Sequence, residues 1–108
     1  MNTIKSKEEF EKLSKENPEK LVMLKFSASW CGPCRQLAKV MESVEADYNN
    51  VIMAEIDVDD AIDDIFESYE VTNIPVTVFM RDGLLIDRVT GGMTTVQLRD
   101  KINENLNK

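Results

Sequence analysis

The 108-residue sequence contains no histidine, and that absence removes every mechanism that depends on an imidazole. Cysteine is almost as scarce. Two residues cannot build the multi-bridge scaffold of a small secreted domain, nor supply the four Cys or His ligands of a structural zinc site. No apolar stretch approaches the roughly 20 residues of a membrane-spanning helix, and Met1-Asn2-Thr3-Ile4-Lys5 lacks the apolar core of a secretion signal. A cytoplasmic location is therefore expected. Basic residues are outnumbered, 13 Lys and Arg against 20 Asp and Glu, for a net charge of −7. That balance disfavours nucleic acid or an anionic membrane as partner, since both need clustered Lys and Arg. Aromatics are few (one Trp, two Tyr, four Phe), so the core should consist mainly of aliphatics and Met. No repeat, low-complexity tract or linker interrupts the chain, and its length fits one domain over residues 1–108.

The residues that are present alternate between two patterns. Ser6-Lys7-Glu8-Glu9 has the form of a capping box, with Phe10 and Leu13 following at helical spacing. It predicts a first helix ending near Asn17-Pro18. Leu21 to Leu24 runs apolar without alternation, as a strand covered on both faces would. Leu37, Val40, Met41, Val44 and Tyr48 mark one face of a long helix closing near Asn49-Asn50. Val51 to Asp57 reads as a strand, and Asp59-Asp60 as the cap of a short helix through Ile62, Ile65 and Phe66. Val76 to Met80 and Leu84 to Val89 flank Asp82-Gly83, a hairpin signal. Thr94 and Gln97 form a second capping box before Leu98, Ile102 and Leu106. With a short strand at Thr3-Ile4, the order predicts an α/β domain: a mixed sheet of four to five strands with helices on both faces.

Cys31-Gly32-Pro33-Cys34 falls where the buried strand gives way to the long helix. Free N–H groups at a helix start favour an anion, and the thiolate is the nucleophile of disulfide exchange. A helix terminus contributes up to ~2 kcal/mol. At about 1.36 kcal/mol per pKa unit, this is enough to bring a thiol of ordinary pKa about 8.5 toward neutrality without histidine. Cys31, at the exposed end, would attack a target disulfide. Cys34, one turn on, would attack Cys31 and release the reduced target. Pro33 suits an early helical position, where its missing N–H costs nothing. A purely stabilising bridge is a weaker reading, since a four-residue loop contributes only about 2 kcal/mol. A c-type haem site would need histidine where Arg35 stands.

With that strand–C-x-x-C–helix unit in place, the chain resembles the thioredoxin family from about Ile4 to Leu106. Trp30-Cys31-Gly32-Pro33-Cys34 matches the family's active-site motif. Asn73-Ile74-Pro75 matches its proline after a cis peptide bond, Arg81-Asp82-Gly83 its hairpin turn, and Gly91-Gly92 its loop before the last helix. The resemblance implies a thioredoxin fold and a protein-disulfide reductase, an electron carrier that serves redox homeostasis. It also implies a redox-active Cys31–Cys34 disulfide, no bound cofactor or metal, recharging by a thioredoxin reductase, and a monomer. Trp30, Gly32, Pro33, Ile74, Pro75, Thr90, Gly91 and Gly92 would then border the groove that receives the target. Two other readings stay open: a docking subunit that uses the same fold, and a more oxidising disulfide oxidase or isomerase.

The mismatches are sharper. Lys25 stands where the family generally carries a buried aspartate, and Glu55 where some members place a lysine. A lysine buried alone is costly, so a charge-swapped Lys25–Glu55 pair beneath the cysteines is expected. A charged Lys25 would favour thiolates and a more oxidising protein. A neutral one would serve as a base for Cys34, and a snorkelling one would do neither. Ser27 replaces a frequent tryptophan, Lys39 a helix-kinking proline, and Val76 a common threonine. Lys39 predicts a straighter helix.

Overall fold

The computed structural model describes all 108 residues. In chain order the elements are β1 (Asn2–Thr3), α1 (Lys7–Lys15), β2 (Leu21–Ser27), α2 (Gly32–Glu45), β3 (Val51–Asp57), α3 (Ile65–Ser68), β4 (Val76–Arg81), β5 (Leu84–Thr90) and α4 (Thr95–Leu106). They form one five-stranded sheet in the order β1-β3-β2-β4-β5. β1, β3 and β2 run parallel, while β4 pairs antiparallel with both β2 and β5.

β2 lies in the middle and is buried along its whole length, which explains its unbroken apolar run. Its side chains alternate between two cores. Val22, Leu24 and Phe26 pack with Phe10 of α1 and Ile65 of α3. Leu21 and Met23 face the other way, toward Leu37, Met41 and Val44 of α2 and Leu98 and Ile102 of α4. Helices thus cover both faces of a mixed sheet, as the alternation of patterns predicts.

The termini follow side-chain chemistry. Ser6 Oγ accepts the Glu9 N–H at 3.2 Å, but the Glu9 carboxylate reaches Lys5 N–H rather than Ser6, so this box is only half closed. The Thr94–Gln97 box is complete, with both bonds formed at 2.9 and 3.1 Å. Asp82 and Gly83 both adopt positive φ, 49° and 79°, in a two-residue turn between paired Arg81 and Leu84.

Two predicted elements are shorter than the periodicity implies. α2 ends at Glu45, so Tyr48 packs against the core from beyond the helix. The Asp59-Asp60 cap does not form. Asp57 instead accepts the Asp59 N–H at 2.8 Å, opening a run of turns in which Ile62 is exposed. Asp63 then takes the Ile65 N–H at 3.1 Å, and the helix covers only Ile65–Ser68. Side-chain oxygens competing for backbone donors set this start, and periodicity is blind to them. α2 passes Lys39 without a break.

Candidate active site

Cys31 is the N-cap of α2, with extended φ,ψ of −91°, 113°, and Pro33 occupies the first turn. Cys31 and Cys34 are joined as a disulfide, their Cα atoms 5.2 Å apart. The Cys34 N–H points at Cys31 Sγ from 3.3 Å, so a helix-start donor already faces the sulfur that would carry charge after reduction. Cys31 keeps 8% of its surface exposed and Cys34 none. Only Cys31 offers a target a line of approach.

The predicted border residues fall around this pair in three groups. Ile74 packs on Ala28, Cys31 and Cys34. The Ile74–Pro75 bond is cis. The Pro75 carbonyl accepts the Gly91 N–H at 2.8 Å, and Thr90 pairs with Val76, which brings the loop after β5 alongside. Gly91 has φ of +92°, a conformation that favours glycine. Gly32, Pro33 and Gly92 share an open cleft of about 880 Å³ with Arg35, Lys39 and Met93, between the start of α2 and the approach to α4. Trp30 stands apart from that cleft, 67% exposed, its indole N–H donating to Asp59 Oδ2 at 3.2 Å.

Asp59 is a contact that sequence reasoning misses. Asp57 is another: its Oδ2 accepts the Ser29 N–H at 2.7 Å and holds the turn before Trp30. Both acids belong to the run Asp57–Asp60, whose signal resembles a helix cap.

Beneath the cysteines, Lys25 is 1% exposed. Its Nζ lies 3.2 Å from Glu55 Oε2 and donates to the Cys34 carbonyl at 3.1 Å. It does not snorkel. The charge-swapped pair forms because residues 25 and 55 are direct partners in the parallel β2–β3 register. A second cleft, of about 360 Å³, runs from the surface to this pair between Thr3, Ser27, Arg35 and Asp60.

A family model described as Thioredoxin matches residues 2–104. Thioredoxin-1 of Caenorhabditis elegans is 33% identical over 98 residues, 91% of this chain and 84% of that protein. The thioredoxin of Geodia cydonium is 31% identical over 105 residues, 97% of this chain and 98% of its own length. Among solved structures, the X-ray structure of Fasciola hepatica thioredoxin superposes with a TM-score of 0.88 at 35% identity, covering 96% of this chain and 98% of that one.

Proposed function

The chain belongs to the thioredoxin family and is a thiol–disulfide oxidoreductase of the protein-disulfide reductase type; within that chemistry we propose that Cys31 attacks and Cys34 resolves. The observation that carries this assignment is the difference in burial. The partly exposed Cys31 caps the helix, whereas Cys34 is sealed behind it. In the reduced protein the Cys31 thiolate attacks one sulfur of a target disulfide and expels the other as thiolate. Cys34 then attacks Cys31 Sγ, re-forms the Cys31–Cys34 bond and releases the second target thiolate. Two electrons and two protons pass from the cysteine pair to the target.

The target would lie extended across Trp30, Gly32, Pro33, Ile74, Pro75, Thr90, Gly91 and Gly92. Small and apolar residues would let its backbone come close to the sulfurs, and backbone groups beside Pro75 would pair with it. The reading includes a thioredoxin reductase as electron donor, a monomer as the working form, no bound cofactor, and a cytoplasmic setting for electron transport and redox homeostasis. It is tested by insulin reduction with dithiothreitol as electron source. Catalysed precipitation of the insulin chains is the expected result. A folded, reducible protein that does not accelerate it would overturn the assignment.

A further inference from the structure

One cross-strand row of the sheet is polar where the next row on the same face is apolar. Thr3, Glu55, Lys25 and Thr77 are successive register partners on β1, β3, β2 and β4. Two residues further along the same face, Met53, Met23 and Phe79 form the neighbouring row, all fully buried. The polar row lies under the first turn of α2, and two of its members, Lys25 and Thr77, are sealed from solvent. Thr77 Oγ1 makes no hydrogen bond at all.

A buried ammonium costs stability unless its partners compensate, and a methionine would fill the same space without that cost. Glu55 supplies part of the compensation. It keeps about a third of its side chain exposed, so a lysine paired with it had a route to the surface. The ammonium instead turns inward, onto the backbone of Cys34. It has three donors, of which the Cys34 carbonyl and Glu55 Oε2 account for two.

We propose that Lys25 is a positioning residue for the resolving step: its ammonium, held in place by Glu55, stabilises the thiolate of Cys34. This rests on the reading of Cys34 as the resolving thiol. When the target is bound to Cys31 as a mixed disulfide, Cys34 must lose its S–H proton before its sulfur attacks. That proton is taken up by water, to which the cleft lined by Lys25 and Glu55 is open. The negative charge left on sulfur sits on the residue whose carbonyl Lys25 already holds at 3.1 Å, and a neighbouring opposite charge favours the ionised form. The electron pair then passes from Cys34 sulfur to the Cys31–Cys34 bond, and the target sulfur departs as thiolate.

Other charged groups along this cleft are engaged elsewhere or open to water. Arg35 donates to the Ser29 carbonyl, Asp57 accepts from Ser29 and Asp59, and Asp60 is exposed. Lys25 is thus the one fully buried charge among them.

The test uses Cys31→Ser, in which Cys34 is the only thiol, and follows thiolate ultraviolet absorbance against pH. Adding Lys25→Met removes the charge while preserving bulk. Adding Lys25→Gln removes the charge but retains a donor for the Cys34 carbonyl. In each folded variant the ionisation midpoint should rise by about one pH unit or more, a tenfold loss in ionisation constant. A midpoint that stays or falls in either folded variant overturns the proposal. Cys31→Ser has no turnover, so this outcome is independent of the insulin assay: parent activity with an unmoved midpoint sinks the role of Lys25 alone.

Discussion

At the scale of single residues, the row beneath α2 carries a cost in the oxidised protein. A buried hydroxyl without a partner forfeits its hydration and gains nothing in return, an effect of about 1–3 kcal/mol. Thr77 Oγ1 is in that position. Thr77→Val should therefore stabilise the oxidised protein by about 1 kcal/mol, read as a higher urea midpoint with an unchanged slope. Loss of stability would mean that the hydroxyl is satisfied. Lys25 was legible as an anomaly, because a lysine inside an otherwise apolar strand demands a partner. Glu55 was named as that partner by the family resemblance, and the β2–β3 register pairs the two directly. Thr77 was not. Threonine is an ordinary strand residue, and only the register places it opposite Lys25.

At the scale of elements, the seam between β5 and α4 is held by a carboxylate. Asp87 accepts from Asn105 Nδ2 at 2.9 Å, Lys101 Nζ at 3.1 Å and the Arg88 N–H at 2.7 Å. Burial alone would raise its pKa. The hydrogen bonds from Asn105, Arg88 and Lys101, with the charge of Lys101, outweigh that and hold it below the ordinary carboxylate value. The folded protein binds this proton more weakly than the unfolded chain. The contribution is therefore fully present above the ordinary carboxylate pKa and disappears as pH falls through the depressed folded value. Asp87→Ala should cost about 1–2 kcal/mol at neutral pH. Its difference from the parent should shrink as pH drops below about 4, where urea midpoints measured at both pH values will show it. Caps and the hairpin turn could be read from local sequence because Thr94, Gln97, Asp82 and Gly83 act on their own neighbours. α3 could not. Its start depends on Asp57 and Asp63 capturing backbone donors, and Asp63 also takes the Lys7 N–H of α1 at 2.9 Å.

At the scale of the whole molecule, alternating patterns indicated a mixed sheet covered on both sides, and the structure has that form. The two cores share β2, and the strand ends at the turn that presents Trp30 and the cysteines. The site is assembled from four separate stretches of chain: the start of α2, the Ile74–Pro75 bond, the loop after β5, and the turn following β3. Family resemblance pointed to the first three as borders of the groove. The fourth escaped because the Asp59 contact with Trp30 spans 29 residues and leaves no local signal.

The difference in burial on which the proposed roles of the two sulfurs rest also arises at this scale, since Cys34 is covered by the packing of α2 on the sheet. The most direct measurement is mass spectrometry of Cys34→Ser and Cys31→Ser after incubation with a protein disulfide. A stable mixed disulfide is expected on Cys31 in the Cys34→Ser protein and none on Cys34 in the Cys31→Ser protein. Adducts forming on Cys34, or no adduct on Cys31, would contradict it.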